Sequence, residues 1–387
     1  MGEFRSLWFA QILSVAGDQL ARVALTLLVF NRTGSSLLAA VTYAASVVPT
    51  FVGGITLAGL ADRLPRRAVM IACDLMRVVL VVVMAVSGIP TAALVVLLFL
   101  VTLIGAPFLS ARAALYPDIL PGDLYVLGTA VTITTLQFAQ VVGFALGGVV
   151  VSFFGVRTSL LLDAATFALS ALITRVWVRS WPATRARPSH GSRRWGEVVA
   201  GVRLVFSNPA LRTPMLLGWL AAFYCAPAEG VSVPLAAALG GGAVAVGLIL
   251  ASQAMGSSLG MITFSRFVAP AKRVRWMTPL AVATCGVLVL FAFHPPLPVA
   301  LAVLCLSGVF DCFQLPANAS FVSATPPGQR SQAFGIAQGG MSLGQGLAMV
   351  AAGAAAERYS PSYVVAAGGA IGAVAAVLIA VSRTRTR

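Results

Sequence analysis

The sequence predicts an all-α membrane protein with twelve transmembrane helices, arranged as two six-helix, pseudo-symmetric halves. Of the 387 residues, 59% are hydrophobic and only 10% are charged, whereas a typical soluble domain is about 45–50% apolar and about 25% charged. The chain also contains twelve long apolar stretches, and its second half repeats landmarks of the first. A water-soluble enzyme of ordinary composition is therefore excluded.

The twelve apolar stretches are each long enough to cross a membrane, because a spanning helix needs about 20 mainly apolar residues. The segment after the sixth stretch carries seven arginines and is predicted to be a basic cytoplasmic linker. The predicted parts are an N-terminal six-helix half (1–178), the linker (179–212), and a C-terminal six-helix half with a short basic tail (213–387). The predicted spans are 7–30, 37–61, 68–88, 92–112, 126–154, 157–178, 213–238, 243–267, 275–294, 297–319, 331–356 and 361–382.

The positive charges indicate how the chain is oriented. With both termini in the cytoplasm, most of the 26 basic residues fall in cytoplasmic loops and helix ends, and the exterior loops hold only Arg32, Arg157 and Arg358. This is the asymmetry of the positive-inside rule, so the net charge of +15 needs no nucleic-acid partner. Together with a composition typical of high-GC bacteria, it predicts a multi-pass protein of the bacterial plasma membrane with both termini cytoplasmic.

An internal repeat relates the two halves. Pro121-Gly122, after the fourth span, matches Pro327-Gly328 after the tenth, and Gly148 matches Gly353 further on. Parallel repeats of six spans are an arrangement of secondary transporters, in which substrate binds near the midplane between the halves. Transport is therefore the leading functional class.

The loop between spans two and three reads AGLADRLPRR from Ala58 to Arg67. It resembles the signature loop of the major facilitator superfamily, with Pro65 at a position where that family usually has glycine. In the family this loop latches the two halves in the outward-facing state. The resemblance implies that role for Asp62, Arg63, Arg66 and Arg67.

Further motifs extend the resemblance along the chain to the efflux branch that contains macrolide efflux proteins and the enterobactin exporter. They are GDQL, NRTGSS, DLMR, SARAALYPDILP, LLDAATFALSAL and WGEVVAGVRLVFSNPALR. The resemblance implies proton-coupled efflux of small amphipathic organic molecules, either drugs or siderophore-like compounds. In span five, however, Phe144 stands where drug antiporters carry proline, so a facilitator or importer of a specific metabolite is the alternative.

Acidic residues inside spans are costly in lipid and are functional candidates by default. Asp18 and Arg22 lie four residues apart in span one, which predicts a self-neutralising pair. A buried carboxyl beside an arginine can exchange a proton, so this pair is predicted to couple transport to protons, although it could also simply hold span one. Glu229, which lies between two prolines, and Asp311 are the further coupling candidates.

Other charged residues lie nearer the membrane surfaces. Asp74 and Arg77 in span three are grouped with Asp62 and Arg112 in a predicted cytoplasmic gate. Asp163 is placed near the exterior end of span six, within reach of the interface.

Several polar and aromatic residues are candidates to line a substrate cavity, although each also suits a helix–helix contact. They are Gln19, Gln137, Gln140, Trp219, Tyr224, Gln253, Gln314 and Gln338.

The remaining patterns argue against catalysis. The five cysteines form no C-x-x-C pair, so neither a metal site nor a disulfide framework is predicted. No Walker-type phosphate loop occurs, so a proton gradient is the expected energy source and no cofactor is expected. The G-x-S-x-G matches at Gly256–Gly260 and Gly340–Gly344 lie in apolar spans and are predicted to be packing faces. The expected partners are the lipid bilayer and a small-molecule substrate, and the protein is expected to be a monomer. A receptor or enzyme on the same scaffold is the third alternative.

Overall fold

A computed structural model describes residues 2–57, 64–120, 122–179, 202–203, 205–326 and 329–385. Within these ranges the regular elements are helices. The chain divides into two compact units, of which the first comprises Met1–Arg187 with Gly241–Ala251 and the second comprises Pro188–Gly240 with Ser252–Arg387. The predicted linker lies largely outside the described residues.

The first unit is built mainly from six helices. The longest, α6, carries two predicted spans, which are separated at Gly155, where φ is 77° and ψ is 171°. Glycine tolerates this positive φ because it has no Cβ atom. The helices are α1 (Gly2–Thr33), α2 (Ser36–Ala44), α3 (Val48–Thr56), α4 (Arg66–Met84), α5 (Thr91–Ile119) and α6 (Asp123–Trp177).

The second predicted span is broken into α2 and α3. Pro49 stands in the first turn of α3 and has no N–H to bond to the carbonyl of Ala45. The next residue, Thr50, donates its N–H to Val47 rather than to Ser46. The break therefore leaves the Ser46 carbonyl without its usual helical partner.

The second unit follows the same plan with two broken spans. The axes of α7 and α8 differ by 51°, and a 3₁₀ turn at Asp311–Phe313 separates α11 from α12. The helices are α7 (Pro209–Gly230), α8 (Ser232–Ala238), α9 (Ala243–Phe267, which begins in the first unit), α10 (Pro270–Leu288), α11 (Leu297–Phe310), α12 (Gln314–Ala324), α13 (Arg330–Ala356) and α14 (Pro361–Arg385). A further 3₁₀ turn (Val289–Phe293) extends α10.

All twelve predicted spans are occupied by a helix or a broken helix. By length and apolar composition, eight stretches of the described residues qualify as membrane spans, or nine with the bent pair α7 and α8. The stretch in α6 counts once although it contains two predicted spans. The two remaining predicted spans, 68–88 and 331–356, are occupied by α4 and α13. Of these, α4 is more polar because it carries Arg66, Arg67, Asp74 and Arg77.

Large apolar side chains remain exposed on the helices. Phe153, Phe267 and Phe293 are 77%, 82% and 81% exposed. Such extensive apolar exposure suits a lipid environment, where it carries no hydration cost.

Small residues bring the helices together. Gly256 and Gly260 of α9 lie against the backbone of Cys305 and Val309 in α11, while Gly340 and Gly344 of α13 lie against the rings of Trp219 and Phe223. The two G-x-S-x-G matches are therefore packing faces, as predicted.

Candidate functional site

The first unit encloses a cavity of about 390 Å³ between α1, α4, α5 and α6. This volume lies within the range of about 300–1,000 Å³ for small-molecule sites. The cavity brings together eight of the residues singled out in the sequence: Asp18, Gln19, Arg22, Arg77, Arg112, Gln137, Gln140 and Asp163.

Arg77 is the central cation of this site. Its Nη2 donates to Asp18 Oδ1 over 2.8 Å, and its Nη1 lies 4.0 Å from Asp74 Oδ1. Its guanidinium also lies 3.9 Å from the centroid of the Phe167 ring, which adds a cation–π contact. Arg77 therefore connects α1, α4 and α6.

The predicted ion pair between Asp18 and Arg22 was wrong. Asp18 pairs with Arg77, and Arg22 instead donates from Nη2 to the Ser46 carbonyl over 3.0 Å. That carbonyl is available because of the break between α2 and α3. Helical spacing placed the two residues on one face of α1, but contacts with neighbouring helices decide their partners.

Asp163 lies inside the unit and not at the membrane interface, so its predicted location was wrong. It is 1% exposed and lines the cavity, and its Oδ1 has no hydrogen-bond partner among the described residues. It packs against Gly17, where a Cβ atom would lie 2.5 Å from Asp163 Oδ1. The signal that marks it is a single acid in an apolar span.

Asp74 completes the group of buried acids. It is fully buried and accepts a hydrogen bond of 2.7 Å from Ser170 Oγ. Asp18, Asp74, Asp163, Arg22 and Arg77 thus form a cluster of three carboxyl groups and two guanidinium groups, called the charge cluster below.

Arg112 lies on the cavity wall, on α5. Its Nε and Nη1 atoms are buried and make no hydrogen bond among the described residues. Its guanidinium carbon is 5.7 Å from the centroid of the Tyr116 ring. Arg77 and Arg112 both face the cavity, and their part in a cytoplasmic gate stays a prediction.

The signature loop is described only in part, since Asp62 and Arg63 lie outside the described residues. Arg66 forms an ion pair with Asp118 and donates to the Ala114 carbonyl over 2.8 Å. Arg67 donates to the Arg175 carbonyl. These contacts fasten the start of α4 to the ends of α5 and α6, and Asp118 is a partner that the sequence analysis missed.

In the second unit, the two candidate acids have polar, uncharged neighbours. Asp311 accepts hydrogen bonds from Ser257, over 3.2 Å, and from Gln314. Glu229 accepts one of 2.9 Å from Gln345. Both acids lie where a predicted span is broken, as the prolines beside Glu229 indicated.

Two of the other cavity candidates in this unit, Tyr224 and Gln253, lie near Asp311. Gln253 donates to Cys225 Sγ over 2.5 Å, and Tyr224 is 1% exposed in the core. Trp219 donates to the Ala337 carbonyl over 2.8 Å and lines an apolar cleft of about 750 Å³. Gln338 is exposed.

Comparison with known proteins decides the family. The family model of the Major Facilitator Superfamily matches residues 7–235 and 230–387. The chain belongs to the major facilitator superfamily. The expected family and all-α fold are thereby confirmed, and the protein is a multi-pass membrane transporter.

Relatives of this superfamily member include multidrug efflux pumps. It is 26% identical over 320 residues to "Multidrug efflux pump Tap" of Mycolicibacterium fortuitum, covering 79% of this chain and 77% of that protein. It is 27% identical over 323 residues to the pump of the same name in Mycobacterium tuberculosis, covering 78% and 74%. Both relatives are named as multidrug efflux pumps.

Solved structures of the superfamily share the fold. A POT family transporter in complex with 5-aminolevulinic acid matches with a TM-score of 0.78 at 11% identity, covering 98% of this chain and 95% of the other. The nucleoside transporter NupG matches with a TM-score of 0.71 at 19% identity, covering 98% and 99%. At these identities the likeness concerns the fold alone.

Proposed function

We propose that this protein is a proton-coupled exporter of small amphipathic organic molecules. It works in the bacterial plasma membrane as a monomer with both termini in the cytoplasm, and it needs no cofactor. The relatives described above are named multidrug efflux pumps, which supports the direction of transport. Gln19, Gln137 and Gln140 on the cavity wall supply hydrogen-bonding groups for the substrate.

The observation that carries proton coupling is the composition of the charge cluster. Three carboxyl groups share two guanidinium groups, so the cluster is electrically neutral when one carboxyl holds a proton. An uncompensated charge at membrane depth costs several kcal/mol, about 2.5–3.5 on insertion scales. A cluster of this composition therefore favours binding one proton.

The geometry supports an order of events within the cluster. Asp163 has an oxygen without a partner and holds the proton while Asp18 is paired with Arg77. When the proton moves to Asp18, the pair with Arg77 is broken. Arg77 then turns toward Asp74 or Asp163, which loosens α1 from α4 and changes access to the cavity. Glu229 and Asp311 remain the coupling candidates of the second unit.

Transport in cells tests this proposal. A pump-deleted host expressing the wild type, Asp18→Asn or Asp18→Glu is loaded with fluorescent dyes and macrolides, with and without a protonophore. We expect the wild type to lower accumulation, and both the protonophore and Asp18→Asn to restore it. Asp18→Glu, which keeps the carboxyl group, should retain part of the activity. Export that is insensitive to the protonophore, or unchanged in Asp18→Asn, contradicts the coupling mechanism.

A second candidate function is facilitated movement or import of one metabolite. It is favoured by Phe144, which is buried in α6 at the place where drug antiporters carry proline. The direction of net flux in intact cells separates the two functions, because an exporter lowers the internal concentration of its substrate below equilibrium.

A further inference from the structure

We propose that Arg112 binds an acidic group of the substrate, a carboxylate, sulfonate or phosphate, inside the cavity of the first unit. The exporter is then selective for organic anions and zwitterions over organic cations of the same size. This inference rests on the proposed function, because it assigns the same cavity to the substrate.

The three arginines that line the cavity differ in their hydrogen-bond partners. Arg77 is engaged by Asp18 and lies over the Phe167 ring. Arg22 is engaged by the Ser46 carbonyl. Arg112 has two buried nitrogens, Nε and Nη1, that make no hydrogen bond to a described residue, whereas Arg77 has one, Nε.

The unpaired N–H groups of Arg112 cost free energy. A buried N–H group without an acceptor costs about 1–3 kcal/mol, and more when it is charged. In a guanidinium group Nη2, and not Nη1, lies on the side of the Nε hydrogen, so Nε with Nη2, or Nη1 with Nη2, forms the planar fork that matches two oxygen atoms of a carboxylate or phosphate. An oxyanion bound by either fork would therefore give one of the two unpaired nitrogens an acceptor.

The charges around the cavity also determine which ligands it favours. The cavity is lined by three arginines and by two aspartates, Asp18 and Asp163. Asp74 is fully buried beside Arg77 and is not part of the lining. With Asp74 counted, three carboxyl groups balance the three arginines, and the region around the cavity becomes net positive when one carboxyl group of the charge cluster holds a proton.

Other residues of the cavity wall suit the rest of the substrate. Gln11 and Gln19 are nearly buried on the α1 side of the cavity, and the Oε1 atom of each lacks a hydrogen-bond partner among the described residues. Phe108 and Leu109, beside Arg112, are apolar. The cavity therefore suits a molecule with one acidic group, a hydrogen-bond donor and an apolar body.

A binding measurement tests the inference without requiring transport. The purified full-length protein is placed in phosphatidylcholine nanodiscs, and fluorescence anisotropy follows the binding of fluorescein, an anion, and of rhodamine 123, a cation with the same ring skeleton. We expect the wild type to bind fluorescein more tightly. Arg112→Gln should weaken fluorescein binding about tenfold or more and leave rhodamine 123 binding unchanged or tighter, since a charge-assisted hydrogen bond is lost.

Two control variants make the result specific. Arg157→Gln removes the same charge from an exposed position of α6 and should leave the ratio of the two affinities unchanged. Arg112→Lys keeps the charge without the planar fork and should recover part of the fluorescein binding. Size-exclusion elution as a single species shows that each variant is folded.

Several outcomes would overturn the inference. One is a wild type that binds the anionic dye no more tightly than the cationic one; another is a folded Arg112→Gln variant with an unchanged affinity ratio. In a third, phosphatidylglycerol displaces bound fluorescein from the protein and substrate-like organic acids do not. The anion that Arg112 binds would then be a lipid headgroup. Binding that depends on Arg112 in a protein that fails to export would contradict the proposed function and leave the binding site standing.

Discussion

Asp18 and Arg77 lie 59 residues apart and are joined by a hydrogen bond of 2.8 Å between Oδ1 and Nη2. The pair fastens the centre of α1 to the centre of α4 beside the cavity of the first unit. Because Arg77 is almost completely buried and Asp18 lines the cavity, the pair combines a structural role with access to protons.

Removing the cation of this pair should destabilise the protein. In Arg77→Gln the Asp18 carboxylate loses its partner, and breaking a buried pair costs about 3–5 kcal/mol. Since Asp18 is partly exposed to the cavity, we expect the lower end of that range, measured by thermal unfolding in detergent. The double variant Arg77→Gln with Asp18→Asn should recover most of the stability and none of the transport. Equal destabilisation of the single and double variants would contradict this pairing.

Neutralising Asp163 should separate stability from coupling. Asp163→Asn has nearly the same shape and removes a carboxyl group that has an unpaired oxygen, so unfolding temperature should stay unchanged or rise. Substrate-induced proton release from inverted vesicles, followed with a pH-sensitive dye, should fall at least tenfold. Ser159→Ala, in the same helix, should leave proton release intact. Full proton release in Asp163→Asn would remove this residue from the coupling mechanism.

Adding one methyl group at Gly17 should disturb the same site sterically. In Gly17→Ala the new Cβ atom would lie 2.5 Å from both Asp163 Oδ1 and Thr166 Oγ1, and overpacking of this kind costs about 1–3 kcal/mol. Gly218→Ala is the matched control, because nothing lies within 4 Å of its new Cβ atom and alanine favours a helix by about 0.5–1 kcal/mol. Thermal unfolding should show opposite shifts for the two variants. The same loss in both would show that α1 does not press on Asp163.

The close approach of α9 and α11 yields a fourth prediction. Gly260→Leu places a side chain against the backbone of Val309 and should reduce the yield of folded protein, because helices in lipid associate through such small residues. Leu259→Ala, at the neighbouring exposed position, should fold normally. Normal folding of Gly260→Leu, measured by fluorescence-detected size exclusion, would contradict this packing.

The sequence is sufficient to predict the helices but not the partners of the charged residues. Hydropathy and charge asymmetry locate all twelve spans, since lipid imposes the length and the apolar composition of each one. They do not show that the span at 37–61 is broken, because a break there depends on Pro49 and on the local backbone. The interruption at Asp311 is equally absent from the hydropathy pattern.

The charge cluster shows why site prediction is harder. Asp18 and Arg22 satisfy the spacing of a helical pair, worth about 0.2–0.5 kcal/mol on an isolated helix. A contact with Arg77 from another helix outweighs that preference, and no spacing along the chain reveals it. Asp163 was recognisable as an acid in an apolar span, but its burial against Gly17 depends on how α1 and α6 pack.

The break between α2 and α3 also determines how Arg22 is held. The open Ser46 carbonyl accepts a hydrogen bond from Arg22, so this arginine is fixed by a neutral dipole and not by an ion pair with a described residue. A segment with no acid of its own thereby holds a cation of α1 beside the carboxyl groups of the charge cluster.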